Sequence, residues 1–228
     1  MPVPSHRVWA YHARMRLCFI GDSYVTGTGD ETCQGWAGRL CACERQAGHD
    51  LTLYNLGVRG QTSHDIALRW QAEAQARLHG RDDGGIILSF GANDARIDAA
   101  GQPRLALQDS LHATEQILRS TRAAWPTLMI GPPPVGRPGP DQRTRVLEQA
   151  MAALCSRAGV PFLSVWAPLL GSAAWCGGIA QGDGLHPGGA GHAVLARLVH
   201  DWPAWRDLIA GAKRTSPFPL AGTGIMAT

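Results

Sequence analysis

The stretch CFIGDSYVTG, residues 18–27, runs from an apolar segment straight into Gly-Asp-Ser. Its apolar half belongs to a short strand, Arg16–Ile20, which the following glycine stops. A lone hydroxyl on a glycine-rich turn directly after a strand has three readings. It is ordinary turn chemistry, part of a phosphate cradle, or a nucleophile. The neighbouring sequence separates them.

Outward from this stretch, short apolar runs recur at Leu51–Leu56, Ile86–Phe90, Leu128–Ile130 and Phe162–Val165, each stopped by glycine, proline or polar residues. Helical periodicity fills the spaces between them. Leu107, Leu111, Leu118 and Trp125 predict one buried helical face, with Glu115, Arg119 and Arg122 toward solvent. Leu147, Met151 and Leu154 do the same in the next helix, and Val194, Leu195 and Leu198 in the last, which Trp202-Pro203 should stop or kink. Strand–helix alternation of this kind predicts an α/β domain with a parallel sheet covered on both faces, because parallel strands need helical crossovers. No repeat or composition break marks a second domain, so residues 15–212 are expected to form one domain. Residues 1–14 have no periodicity and read as a loose, dispensable extension; residues 213–228 read as a flexible tail.

In an open parallel sheet, ligands sit at the carboxyl ends of the strands. The first expected strand is followed by Gly21-Asp22-Ser23, the second by NLGVRGQTS with Gly57 and Gly60, and the third by GAND, residues 91–94. The fifth leads, through a longer loop, to DGLHP with Asp183 and His186. Singly these are weak: Gly-Asp-Ser is common in turns, Asn and Asp tolerate them, and Asp183 could simply cap a helix. Four polar clusters at one sheet edge are a stronger signal. A phosphate loop fits poorly, since no Gly-Lys-Ser/Thr follows and Lys213 is the only lysine in the chain. The glycine spacing also misses the dinucleotide pattern.

Taken in order, Ser23, Gly60, Asn93 and the Asp183–His186 pair resemble the signature blocks of the SGNH hydrolases, the GDSL esterase/lipase family. The resemblance covers the chain from the first strand to DGLHP. It departs at Tyr24, where the name-giving motif has leucine, a position that should lie outside the chemistry. The resemblance implies a three-layer α/β/α fold of flavodoxin-like type, with a central five-stranded parallel sheet of order 2-1-3-4-5. That order would put the strand bearing Ser23 between those bearing Gly60 and Asn93. It further implies Ser23 as nucleophile, His186 as base, Asp183 as the group that orients it, and an oxyanion hole from the N–H groups of Ser23 and Gly60 with the Asn93 amide. GPPPVG, residues 131–136, looks like a family feature that shapes one pocket wall.

The expected activity is hydrolysis of small-molecule carboxylic esters through an acyl-enzyme, with no cofactor and no metal. The same machinery serves thioesterases, lysophospholipases and acyltransferases, and a non-catalytic binding module on this fold is a further alternative. Loops at the catalytic edge are short, which points to short acyl chains; Trp166, Leu169, Leu170 and Trp175 are the candidates for a modest apolar wall. A net charge of +3, with all but one of the 21 basic residues arginine and none in a block, argues against nucleic acid as a partner. No run approaches the ~18 apolar residues of a membrane span, and the N-terminus lacks a secretory pattern. Six cysteines without a CxxC pair read as free or buried thiols, which fits a soluble cytoplasmic protein.

Overall fold

Five parallel strands order the chain in the computed structural model, which describes residues 14–211. Along the sequence they are β1 (Arg14–Gly21), β2 (Asp50–Gly57), β3 (Gly84–Ser89), β4 (Thr127–Ile130) and β5 (Phe162–Leu163). The sheet order is β2-β1-β3-β4-β5, all neighbours parallel. Between them come α1 (Ser23–Thr26), α2 (Gly35–Gln46), α3 (Ser63–Leu78), α4 (Leu107–Ala124) and α5 (Pro138–Ala158). After β5 follow α6 (Trp166–Leu170), α7 (Ala173–Gln181), α8 (Gly189–Asp201) and α9 (Pro203–Gly211).

Side chains alternate across the pleat, so β1 feeds two cores. Leu17 and Phe19 join Trp36 and Leu40 of α2, Leu195 and Val199 of α8, and Trp205 of α9 on one face. Cys18 and Ile20 join Ile66 and Trp70 of α3, Ile117 of α4 and Met151 of α5 on the other. Strands sealed on both faces can be apolar throughout, and β3 is buried at every position. The result is three layers, α/β/α.

Three local expectations need correction. The fifth strand ends at Leu163 rather than Val165. Leu107, expected on a buried face, is the first residue of α4 and is exposed. That helix instead buries Ser110, Thr114 and Thr121 beside Ile117 and Leu118, and the Thr114 hydroxyl satisfies itself by donating to the Ser110 carbonyl. Trp125 lies just past the helix with an extended backbone. Trp202-Pro203 does break the C-terminal helix: Trp202 is extended, and α9 restarts at Pro203, the position where a missing N–H costs nothing.

The extension and tail assigned to residues 1–14 and 213–228 lie outside the described residues, except that Arg14 already pairs with Asp50 in the sheet. Among the described residues no helix is long and apolar enough to cross a membrane. All six cysteines are free thiols; Cys18, Cys41 and Cys155 are buried, and burial pushes each up to about 12.

Candidate active site

Ser23 owes its position to a tight turn at the end of β1, which lies between β2 and β3. Gly21 pairs in register with Gly57 on one side and Ser89 on the other. A Cβ on Gly21 would meet the Ser89 carbonyl oxygen at 1.9 Å, and one on Gly57 would meet the Thr26 nitrogen at 2.3 Å. Glycine at both places is what lets the chain turn there. Asp22 then caps α1: its Oδ1 accepts from the Tyr24 N–H at 3.0 Å. Gly27, at φ +87°, closes the turn with its N–H on the Ser23 carbonyl. Ser23 is thus the first residue of a helical turn, where the N–H has no intrahelical acceptor.

The loop after α7 brings Asp183 and His186 to the same point. His186 Nε2 lies 2.8 Å from Ser23 Oγ, and its Nδ1 lies 2.6 Å from Asp183 Oδ2. The other carboxylate oxygen, Oδ1, accepts from the N–H groups of Leu185 and His186 at 2.9 and 2.8 Å. Burial works to raise the Asp183 pKa, but these three donors outweigh it and hold the carboxyl at about 2. An ionised Asp183 accepting at Nδ1–H fixes the imidazole tautomer and leaves the Nε2 lone pair facing the serine hydroxyl.

Asn93, in the turn after β3, is buried, and its Nδ2 donates to the Gln61 carbonyl at 3.0 Å. The second amide hydrogen has only a long contact, 3.4 Å, to Asp22 Oδ2. Gln61 follows Gly60, whose φ is +78° and whose N–H makes no hydrogen bond among the described residues. The Gly60 carbonyl is held instead by Arg104 Nη1 at 2.7 Å, and Arg69 holds both the Gln61 side chain and the Gly21 carbonyl. Asp22 is fully buried; burial, opposed by the Tyr24 N–H and reinforced by nearby Asp94, raises its carboxyl from 3.8 to about 7.

All five residues singled out in the sequence therefore stand at one sheet edge, Asp183, His186 and Ser23 in one hydrogen-bonded chain. Tyr24 does not lie outside this region. Its ring sits 5.4 Å from that of His186 and stacks on Trp175 at 6.0 Å, and its hydroxyl donates to the Leu185 carbonyl at 2.7 Å. Two further ties join the same loops. Glu31 accepts from the Gly189 N–H at 3.0 Å, and His192 Nε2 lies 3.0 Å from the Thr28 carbonyl oxygen.

A cavity of about 30 Å3 opens at Ser23, Asn93 and His186, walled by Ala92, Pro133, Val135, Thr144 and Leu185 among others. GPPPVG thus supplies one wall through Pro133 and Val135. Trp166, Leu169, Leu170 and Trp175 do not line it. Trp166, Leu169 and Trp175 are buried and Leu170 is exposed. Trp175 is held in place by its indole N–H on the Pro134 carbonyl. Sequence reasoning missed Gln61, Arg69 and Arg104 as supports. Only Tyr24 carried a local signal, its departure from the leucine of the motif.

The family model for the GDSL-like lipase/acylhydrolase family matches residues 19–194. Esterase TesA of Pseudomonas aeruginosa is 28% identical over 200 residues, covering 86% of this chain and 90% of that protein. Among solved structures, a lipase/acylhydrolase from Enterococcus faecalis superposes with a TM-score of 0.70 at 20% identity, covering 89% of this chain and all of that one. The acetylxylan esterase Axe2 of Geobacillus stearothermophilus gives 0.66 at 17% identity, over 87% and 96% of the two chains. At those identities the structural matches speak to the fold.

Proposed function

The chain belongs to the GDSL-like lipase/acylhydrolase family and is a hydrolase of ester bonds, and from that premise we propose that it is a serine esterase for short acyl chains. Ser23 is the nucleophile in this reading. As Oγ attacks the ester carbonyl carbon, His186 Nε2 takes the hydroxyl proton and the imidazolium is stabilised by Asp183. The carbonyl electron pair moves onto oxygen, where the N–H groups of Ser23 and Gly60 receive it together with the Asn93 amide hydrogen, which exchanges its long contact to Asp22 Oδ2 for the oxyanion. Collapse breaks the bond to the alkoxy oxygen, which leaves as the alcohol with the proton from Nε2. Water, deprotonated by the same nitrogen, then releases the acid and restores Ser23.

The observation that carries this is the continuous chain from Asp183 through His186 to Ser23, with contacts of 2.6 and 2.8 Å. Two further donors lie on the flanking strands' loops: the Gly60 N–H, with no acceptor among the described residues, and the Asn93 amide, whose second hydrogen makes only a 3.4 Å contact. The about 30 Å3 of free space at Ser23 supports a small acyl group, since that is room for one or two waters. One feature favours a longer chain: an apolar groove of about 420 Å3, lined by Leu105, Leu107, Val146 and Leu147, meets the cavity at Ala95. A p-nitrophenyl ester series decides between them. The expected maximum in kcat/KM is at acetyl to butyryl; a maximum at octanoyl or beyond transfers the acyl site to the groove. Labelling by a fluorophosphonate should fall on Ser23 and abolish turnover. Label elsewhere, or turnover near wild type in Ser23→Ala, would end the nucleophile assignment.

A further inference from the structure

Beside the small cavity lies a second, open depression of about 340 Å3, lined by Arg96, Ile97, Arg137, Pro140, Arg143 and Leu185. The two share Arg96, Pro140 and Leu185, so the depression continues directly from the residue next to His186. Half of its lining is arginine, and no carboxylate lines it. None of the three guanidinium groups forms an ion pair among the described residues. The acids nearest in sequence each accept from backbone N–H groups: Asp94 Oδ1 from Ser63 at 2.8 Å, Asp98 Oδ1 from Ala100 and Gln102 at 2.8 and 3.0 Å, and Asp141 Oδ1 from Val135 at 2.8 Å.

The arginines are also held at the rim. Arg143 Nε donates to the Ala95 carbonyl at 2.9 Å, which fixes the side chain and leaves its two Nη groups unused. Arg96 is pinned through its backbone, with its N–H on the Asn93 carbonyl and its carbonyl accepting from Arg104. Arg137 stands immediately before α5, a helix of 21 residues whose amino end adds partial positive charge. The chain carries a net charge of only +3, so three unpaired cations at one mouth are a local concentration rather than a general property. Guanidinium groups from the loop after β3 and from the cap and first turns of α5, lining one space, match a planar or tetrahedral oxyanion.

We propose that this arginine-lined depression is a subsite for the leaving-group half of the substrate, and that the preferred esters carry an anionic group, a carboxylate or phosphate, on the alcohol portion. The proposal rests on the esterase reading above. Its side of the scissile bond follows from proton transfer: His186 Nε2 must reach the leaving oxygen, and the adjacent Leu185 forms the wall common to both spaces. The small acyl group stays in the inner cavity.

The test compares 4-acetoxybenzoate with its neutral methyl ester, and 4-acetoxyphenyl phosphate with phenyl acetate, in wild type and in Arg96→Gln/Arg137→Gln. Taking the anionic-to-neutral ratio of kcat/KM, and then the wild-type ratio over the variant ratio, cancels intrinsic leaving-group reactivity. That quotient should be about 10 or more for at least one pair, and should shrink in high salt. The larger quotient of the two pairs identifies the anion as carboxylate or phosphate. In parallel, 4-hydroxybenzoate and inorganic phosphate are titrated into Ser23→Ala with and without the two arginine replacements. Binding that the replacements abolish supports the subsite without any turnover. Quotients within twofold of 1 for both pairs, together with binding unchanged by the replacements or absent, overturn it. If none of the four esters is hydrolysed, the esterase reading fails and the binding titration alone judges the subsite; hydrolysis of the anionic esters alone supports both.

Discussion

Removing the Tyr24 hydroxyl tests whether the residue after Ser23 holds the His186 loop in register. In Tyr24→Phe the ring keeps its place against Trp175 and His186, and only the 2.7 Å bond to the Leu185 carbonyl is lost. A net hydrogen bond contributes about 1 kcal/mol, and a fully buried acceptor left empty costs ~1–3 kcal/mol. Leu185 is only half-buried, so water replaces part of the loss and about 1 kcal/mol is the expected cost. For a domain of this size that lowers Tm by roughly 2–4 °C. The ties from Glu31 to Gly189 and from His192 to Thr28 remain, so the loop stays folded. Its productive arrangement, however, loses the same ~1 kcal/mol against alternatives, a factor of up to about five in population. Hydrolysis of p-nitrophenyl acetate should therefore show kcat down about fivefold with KM unchanged. Tyr24→Leu, which also removes the ring beneath His186, should lose more. A fall in Tm with kcat at the wild-type value would make Tyr24 a packing residue only; no change in either would refute the positioning role altogether.

Asn93→Ala should lower kcat by about 10²–10³-fold with little change in KM, because its amide is needed most where oxyanion charge develops; an effect confined to KM contradicts this. Asp22→Asn keeps the helix cap but removes a buried carboxyl raised to about 7. Between about pH 4 and 7 the folded protein holds a proton that the unfolded chain releases, so this group makes stability fall as pH rises, by a few kcal/mol in order of magnitude. The variant's Tm should accordingly decline less than wild type between pH 5 and 8, and parallel curves would count against the raised value. Gly57→Ala places a methyl 2.3 Å from the Thr26 nitrogen, and backbone displacement should cost about 1–3 kcal/mol, read in denaturant melts. A wild-type midpoint there would mean the turn has slack.

The inner strands β1, β3 and β4 were legible because they are buried on both faces, which leaves a continuous apolar run with punctuation at its ends, whereas the edge strands β2 and β5 are only half-buried. Phe162–Leu163 shows the limit: Val165 is just as apolar and buried, but it packs from the start of a helix. Ser23, Gly60, Asn93, Asp183 and His186 were legible because a parallel sheet delivers its carboxyl-end loops to one edge, so their order along the chain already implies proximity. The role of Tyr24 was not, since its partner carbonyl lies 161 residues away and its departure from the motif's leucine does not say what it bonds. The arginines illustrate the same blindness. Arg96, Arg137 and Arg143 sit among many scattered basic residues, and only folding puts three of them around one space while drawing acids such as Asp141 inward.

Gly21 and Gly57 have a consequence for how this protein can change. With 1.9 and 2.3 Å of room for a first side-chain atom, the turn that presents Ser23 accepts no single replacement without moving β3 at Gly21 or the backbone of Asp22 and Thr26 at Gly57. Variation there is closed. The outer mouth is the opposite case, since Arg96 and Arg137 are exposed and crowd nothing in the strand turns. On the proposed reading, reactivity and choice of substrate therefore fall to parts of the molecule under different mutational constraint. A library that holds the glycine turn fixed and randomises positions 96 and 137 should yield many folded, reactive variants with altered preference. The same diversity spent on positions 21 and 57 should yield mostly destabilised variants with Ser23 displaced.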